Sequence, residues 1–207
     1  MDLDLIKTYD DATGKRFIQD LHYSRIENEF KSDSTVLIGP NSKFCVEKII
    51  KNISPDPFKI FGYENDIDIY CNQLLDLNEF IDSGKVQLHY ANIIHAKPTL
   101  YYDLDLMCTL TSAQILLTRL FDKQALAFKD EKKIFYFTVC GRDYHAADLN
   151  RLDVIGQLFS VDLELKEKVK LQHGYEYILN VSDPNKIITM CSYRDSTPMY
   201  SIMLQYI

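Results

Sequence analysis

The stretch VDLELKEKVKL, residues 161–171, constrains the fold more than any other. Its apolar residues fall at positions 161, 163, 165, 169 and 171, the period of two that a strand with one buried face requires. YEYILNV (175–181) repeats the alternation after His173-Gly174. Asp183-Pro184-Asn185 then turns the chain into KIITMCSY (186–193), and DSTP turns it into MYSIMLQYI (199–207). Four strands joined by short turns predict a C-terminal antiparallel meander.

The rest of the chain mixes helix and strand signals. Apolar residues at three- and four-residue steps predict helices over 13–31, 41–53, 111–128 and 146–159, with Asn41 or Ser42 capping the second and Thr111 or Ser112 the third. TVLIG (35–39), PFKIFG (57–62), KVQLHYA (85–91), TLYYDLDL (99–106) and KKIFYFTVC (132–140) read as strands. The expected fold class is α+β: a mixed strand/helix N-terminal part followed by the four-stranded meander. With 207 residues, 46% of them hydrophobic, and neither linker nor repeat, a single domain over 1–207 is expected, any subdivision falling near 128–160 (1–128 and 161–207).

The N-terminus MDLDLIKTYDD carries acids where a secretory signal carries a basic residue and an apolar run, and no apolar stretch reaches the ~18 residues of a membrane helix. Five widely spaced cysteines without a C-x-x-C pair read as reduced thiols, against both a disulfide framework and a zinc site. A cytoplasmic location and no membrane partner are expected. A net charge of −7 argues against nucleic acid, whose binding relies on Lys and Arg at phosphates. The oligomeric state stays open, because the C-terminal strand edges could pair between chains or be covered by a helix.

Four stretches carry candidate chemistry. VLIGPNSK (36–43) has the strand, glycine and lysine of a phosphate-binding loop but no second glycine, and Pro40 lacks an N–H; it reads as a capped strand-to-helix turn. CGRDYHAAD (140–148) puts His145 among Asp143 and Asp148 after a strong strand, so Asp143 and His145 are either a general-base pair or a helix cap with its neighbour. In LYYDLDL, Asp103 and Asp105 are either the polar face of a strand or a pair able to grip Mn²⁺ or Mg²⁺. The segment 62–84 holds six acids and no Lys or Arg. There Glu64, Asp66, Asp68, Asp76, Glu79 and Asp82, with Tyr63 and Tyr70 beside them, are expected to line one face of a helix whose other face is apolar (Ile67, Tyr70, Cys71, Leu74, Leu75, Ile81), closed by Ser83-Gly84.

Tyr101, Tyr102, Asp103 and Asp105 resemble the hydrophobic-Asp-x-Asp metal motif of nucleotide-sugar glycosyltransferases, which implies a metal-dependent sugar transferase. In being small, acidic and free of enzyme motifs the chain is similar to bacterial immunity proteins. The first expectation is therefore a non-catalytic protein-binding module without cofactor, an inhibitor or immunity-type protein that neutralises a basic partner such as a toxin or nuclease through Glu64, Asp66, Asp68, Tyr70, Asp76, Glu79 and Asp82. The glycosyltransferase-like enzyme with Mn²⁺ or Mg²⁺ on Asp103 and Asp105 is the alternative.

Overall fold

The computed structural model describes residues 13–37, 42–141, 148–194 and 197–206. Their elements, in chain order, are α1 (Thr13–Tyr23), β1 (Ser34–Leu37), α2 (Ser42–Asn52), β2 (Ile60–Glu64), α3 (Ile67–Asp76), α4 (Asn78–Asp82), β3 (Val86–Tyr90), β4 (Tyr101–Thr109), α5 (Leu110–Ala127), β5 (Ile134–Cys140), α6 (Asp148–Phe159), β6 (Leu163–Leu171), β7 (Gly174–Val181), β8 (Lys186–Arg194) and β9 (Pro198–Tyr206). Most lie where the periodicity puts them. Two differences bear on the site: the cap of α5 is Thr109, whose hydroxyl accepts from the Ser112 N–H, and β2 begins three residues late and runs on to Glu64.

All nine strands form one sheet in the order β3-β2-β1-β4-β5-β9-β8-β7-β6. The first five are mutually parallel, and β9 runs antiparallel between β5 and β8. This corrects the expected α+β class: β6–β9 are the outer half of a mixed, doubly wound sheet and not a meander standing alone. The physical reason lies in β4 and β5. Parallel strands joined by helices are buried on both faces, and IFYFTV in β5 is buried at every position, so its pattern does not say which strand pairs with it.

Helices cover both faces. Leu117, Leu120 and Phe121 of α5 and Ile155 and Phe159 of α6 pack on Tyr102, Leu104, Phe135 and Phe137. On the other face, Val46, Ile49 and Ile53 of or just past α2 and Tyr23 of α1 pack on Val36, Ile60, Tyr101 and Tyr136, and Ile18 of α1 packs on Cys191 and Tyr193 of β8. β4 therefore shows Tyr101, Asp103 and Asp105 to the α1–α2 side, and Tyr102, Leu104 and Leu106 to the α5–α6 side.

Two irregularities shape the outer half. Glu167 interrupts the alternation of β6, and the β6–β7 register shifts between Leu165 and Glu167, a bulge. Gly174 opens β7 with φ +147°, and a Cβ there would lie 1.9 Å from the Ser192 carbonyl oxygen of β8. Gly174→Ala is expected to lose about 3 kcal/mol of stability, from strain plus the displaced β7–β8 pair, read by urea denaturation; a wild-type midpoint would show that β8 yields.

Candidate functional site at the carboxyl ends of the strands

The chain leaves β1 outward to β2 and β3, then returns to the other side of β1 for β4 and β5. Neighbouring connections therefore part between β1 and β4, and such a parting in a doubly wound sheet opens a crevice at the strand carboxyl ends where ligands bind. Leu37, Glu64, Tyr90, Thr109 and Cys140 end the five parallel strands on that side.

Two acidic groups face this end. Glu64, the last residue of β2, is only 7% exposed. Its Oε1 accepts from the Asn65 and Asp66 N–H groups at 2.7 and 2.8 Å, and its Oε2 takes no hydrogen bond among the described residues. Asp105 is the other. Leu37 is level with Leu104 in the β1–β4 register, so Asp105 sits one step beyond the end of β1. Lys15 Nζ of α1 donates to Asp105 Oδ2 at 2.6 Å and Thr138 Oγ1 of β5 donates to Oδ1 at 2.7 Å. Burial opposes the charge on Asp105, but the Lys15 ammonium and these donors win and hold its pKa below the usual carboxylate range. Burial opposes the charge on Lys15 as well, and Asp105 reverses this, raising the Lys15 pKa.

Asp103 lies one level deeper, with Oδ2 accepting from Tyr23 Oη at 3.2 Å and Tyr101 Oη at 3.4 Å. Burial, with the Asp105 charge adding to it, lifts its pKa to about 7. Behind it, His22 tilts over Tyr136 with ring centroids 5.1 Å apart. Neither His22 ring nitrogen has a hydrogen-bond partner among the described residues, and burial, helped by Arg25, lowers its pKa to about 3.

The two aspartates thus do share one strand face, but Asp105 is filled by lysine and threonine and Asp103 by two phenols. No group of three or more His, Cys, Asp or Glu able to hold a metal ion occurs among the described residues. The acids of 62–84 are not brought together on one helix face. Glu64 ends β2, Asp66 caps α3 by accepting from the Asp68 and Ile69 N–H groups, Asp68 and Asp76 lie on α3, and Glu79 and Asp82 lie on α4, Glu79 paired with Lys43 at 2.6 Å. Asp143 and His145, and residues 38–41 of the glycine turn, lie outside the described residues. Lys15 and Tyr23 are what the sequence reading missed. The signal was present: Lys15, Gln19, His22 and Tyr23 follow a helical i, i+4, i+7, i+8 stripe, a polar seam that a buried acidic strand face needs.

No protein-family model matches the sequence, and no curated protein matches it. Solved structures do. A protein from Clostridium thermocellum assigned as an rRNA methylase aligns at TM-score 0.54 and 10% identity over 94% of this chain and 97% of that one. A tRNA methyltransferase from Aquifex aeolicus aligns at 0.52 and 10% over 94% and 68%. A SAM-dependent O-methyltransferase from Thermotoga maritima aligns at 0.52 and 13% over 94% and 65%. The chain has the Rossmann-like methyltransferase fold.

This likeness overturns four expectations. The non-catalytic inhibitor or immunity-type module and the glycosyltransferase-like alternative both give way, because the matching structures are methyltransferases. The absence of a cofactor, and Mn²⁺ or Mg²⁺ in its place, give way with them: the proteins of this fold include a SAM-dependent one, and Asp103 and Asp105 are already satisfied by protein donors. No helix among the described residues is long and apolar enough to cross a membrane.

Proposed function

We propose that this protein is an S-adenosylmethionine-dependent methyltransferase that binds its cofactor in the crevice between the carboxyl ends of β1, β2 and β4. One observation carries the reading: a buried carboxylate, Glu64, ends β2 beside the point where the strand order reverses. Its Oε1 is pinned to the backbone and its Oε2 is left to accept. An acid at this place in a doubly wound sheet accepts hydrogen bonds from the hydroxyls of a nucleoside ribose, so this free acceptor fits the ribose of an adenosyl group. The neighbouring methyltransferase folds support the same reading.

When bound, S-adenosylmethionine supplies an electrophilic methyl group on a sulfonium centre. The chain's own part is to orient it and exclude water. Glu64 holds the ribose, Lys15 and Asp105 lock the first turn of α1 against the rim of β4, and Thr138 completes the Asp105 shell. A net charge of −7 suits a cationic cofactor and disfavours RNA as the methyl acceptor. The free cysteines fit a reducing, cytoplasmic setting.

Calorimetric titration of S-adenosylmethionine and S-adenosylhomocysteine tests the reading. Saturable binding is expected in the wild type, weakened about tenfold or more in Glu64→Gln, which keeps the shape but removes the charged acceptor. No binding in a folded wild type would reject the cofactor; equal affinity in Glu64→Gln would reject Glu64 as its ribose acceptor.

A further inference from the structure

Helix α3 is turned inside out relative to its sequence. Ile67, Cys71, Leu74 and Leu75 lie at the i, i+4, i+7, i+8 spacing of one helix face, the face that normally meets a core. Here it meets solvent: Leu75 is 75% exposed, Ile67 52% and Leu74 37%, and Cys71 is exposed. The residue of α3 that is buried is Gln73. Beside the stripe, Tyr90 at the end of β3 is 55% exposed, with its ring 5.4 Å from that of Tyr70 on α3. β3 is the outermost strand and pairs only with β2 among the described residues.

Charge edges this apolar face. Asp68 and Asp76 are exposed on one side of it on α3 and make no ion pair among the described residues, and residues 62–84 contain no Lys or Arg. We propose that the outer face of α3, with Tyr90 of β3, is a docking surface for a protein segment that presents apolar side chains flanked by Lys and Arg. Exposed apolar side chains in a continuous stripe mark interaction surfaces, and complementary charge on the rim gives speed and selectivity. The same acids select the occupant. A second copy meeting this face about a two-fold axis sets Asp68 and Asp76 against their own kind, and an anionic lipid surface is repelled. A basic amphipathic helix satisfies stripe and rim together. This surface stands whether or not the crevice carries out methyl transfer.

The probe is a fluorescein-labelled, helix-forming peptide of about 18 residues with Leu on one face and Lys on the other, read by anisotropy beside a twin in which every Lys is Glu. The Lys peptide is expected to bind and the Glu twin not. Ile67→Ser/Leu75→Ser should weaken binding by about tenfold or more, and Asp68→Asn/Asp76→Asn should weaken it and flatten its salt dependence. These positions are exposed, so the variants should melt like the wild type. Binding that survives Ile67→Ser/Leu75→Ser would reduce the effect to bulk charge and overturn the proposal. So would equal binding of the twin, binding of neither peptide, or a wild-type dimer in sedimentation that Leu75→Ser dissociates.

Discussion

Asp103→Asn should gain on the wild type by about tenfold in the folding constant for each pH unit climbed between pH 3.8 and about 7, roughly 4 kcal/mol in all. The folded wild type keeps the Asp103 proton up to about pH 7, because burial and the Asp105 charge oppose ionisation. The unfolded chain has released it above 3.8. In that window the folded state holds one more proton, and stability falls as pH rises. His22 does the reverse. Its ring stays neutral in the folded chain down to about pH 3, while the unfolded chain takes up a proton below 6.5, so stability falls as pH drops through that window. Between 3.8 and 6.5 the two slopes oppose each other and cancel. Asparagine at 103 removes the first slope and exposes the second; His22→Gln does the opposite. Urea denaturation of the three proteins from pH 4 to 8 reads both slopes as differences from the wild type. A pH-independent difference for Asp103→Asn would mean that Asp103 is already ionised at acid pH.

This balance explains what the sequence could and could not say about the site. The alternation that exposed β6 and β7 comes from strands with one solvent face, and there a residue's polarity reports its side directly. β4 carries acids on a buried face, so Asp103 and Asp105 read as solvated or metal-bound when phenols and a lysine satisfy them. Tyr23 and Lys15 come from α1, 80 and 90 residues earlier in the chain, and a local pattern cannot report a contact of that range. Glu64 was misplaced for a smaller reason: β2 runs two residues beyond the reading of 57–62, which moves the acid from a helix face to a strand end. α3 failed differently. Its amphipathic period is real, yet amphipathicity gives only the existence of two faces, and the burial of Gln73 and of Leu77 just past the helix end marks the one that turned inward. The strand order was out of reach because β5 is buried on both faces and says nothing about β9 as its neighbour.

Lys15→Met is expected to cost about 3–5 kcal/mol, far more than loss of a surface ion pair, because Asp105 would remain buried with the Thr138 hydroxyl but without its cation. The side chains of Lys15 and Asp105 are 18% and 8% exposed, so solvent cannot take over the lost interaction. The informative comparison is the double variant Lys15→Met/Asp105→Asn. It removes the charge together with its partner and leaves an amide that can still accept from Thr138, and it should recover most of the loss. Measured as a cycle with Asp105→Asn alone, the coupling isolates the pair from the packing of the lysine stem. The same cycle separates scaffold from site. The pair ties the first turn of α1 to the β4 rim of the crevice, so the stable double variant should bind S-adenosylmethionine more weakly than the wild type even though its fold is restored. Restored stability with wild-type affinity would confine Lys15 and Asp105 to holding the sheet together, and losses that simply add in the double variant would show that the two charges do not act as a pair.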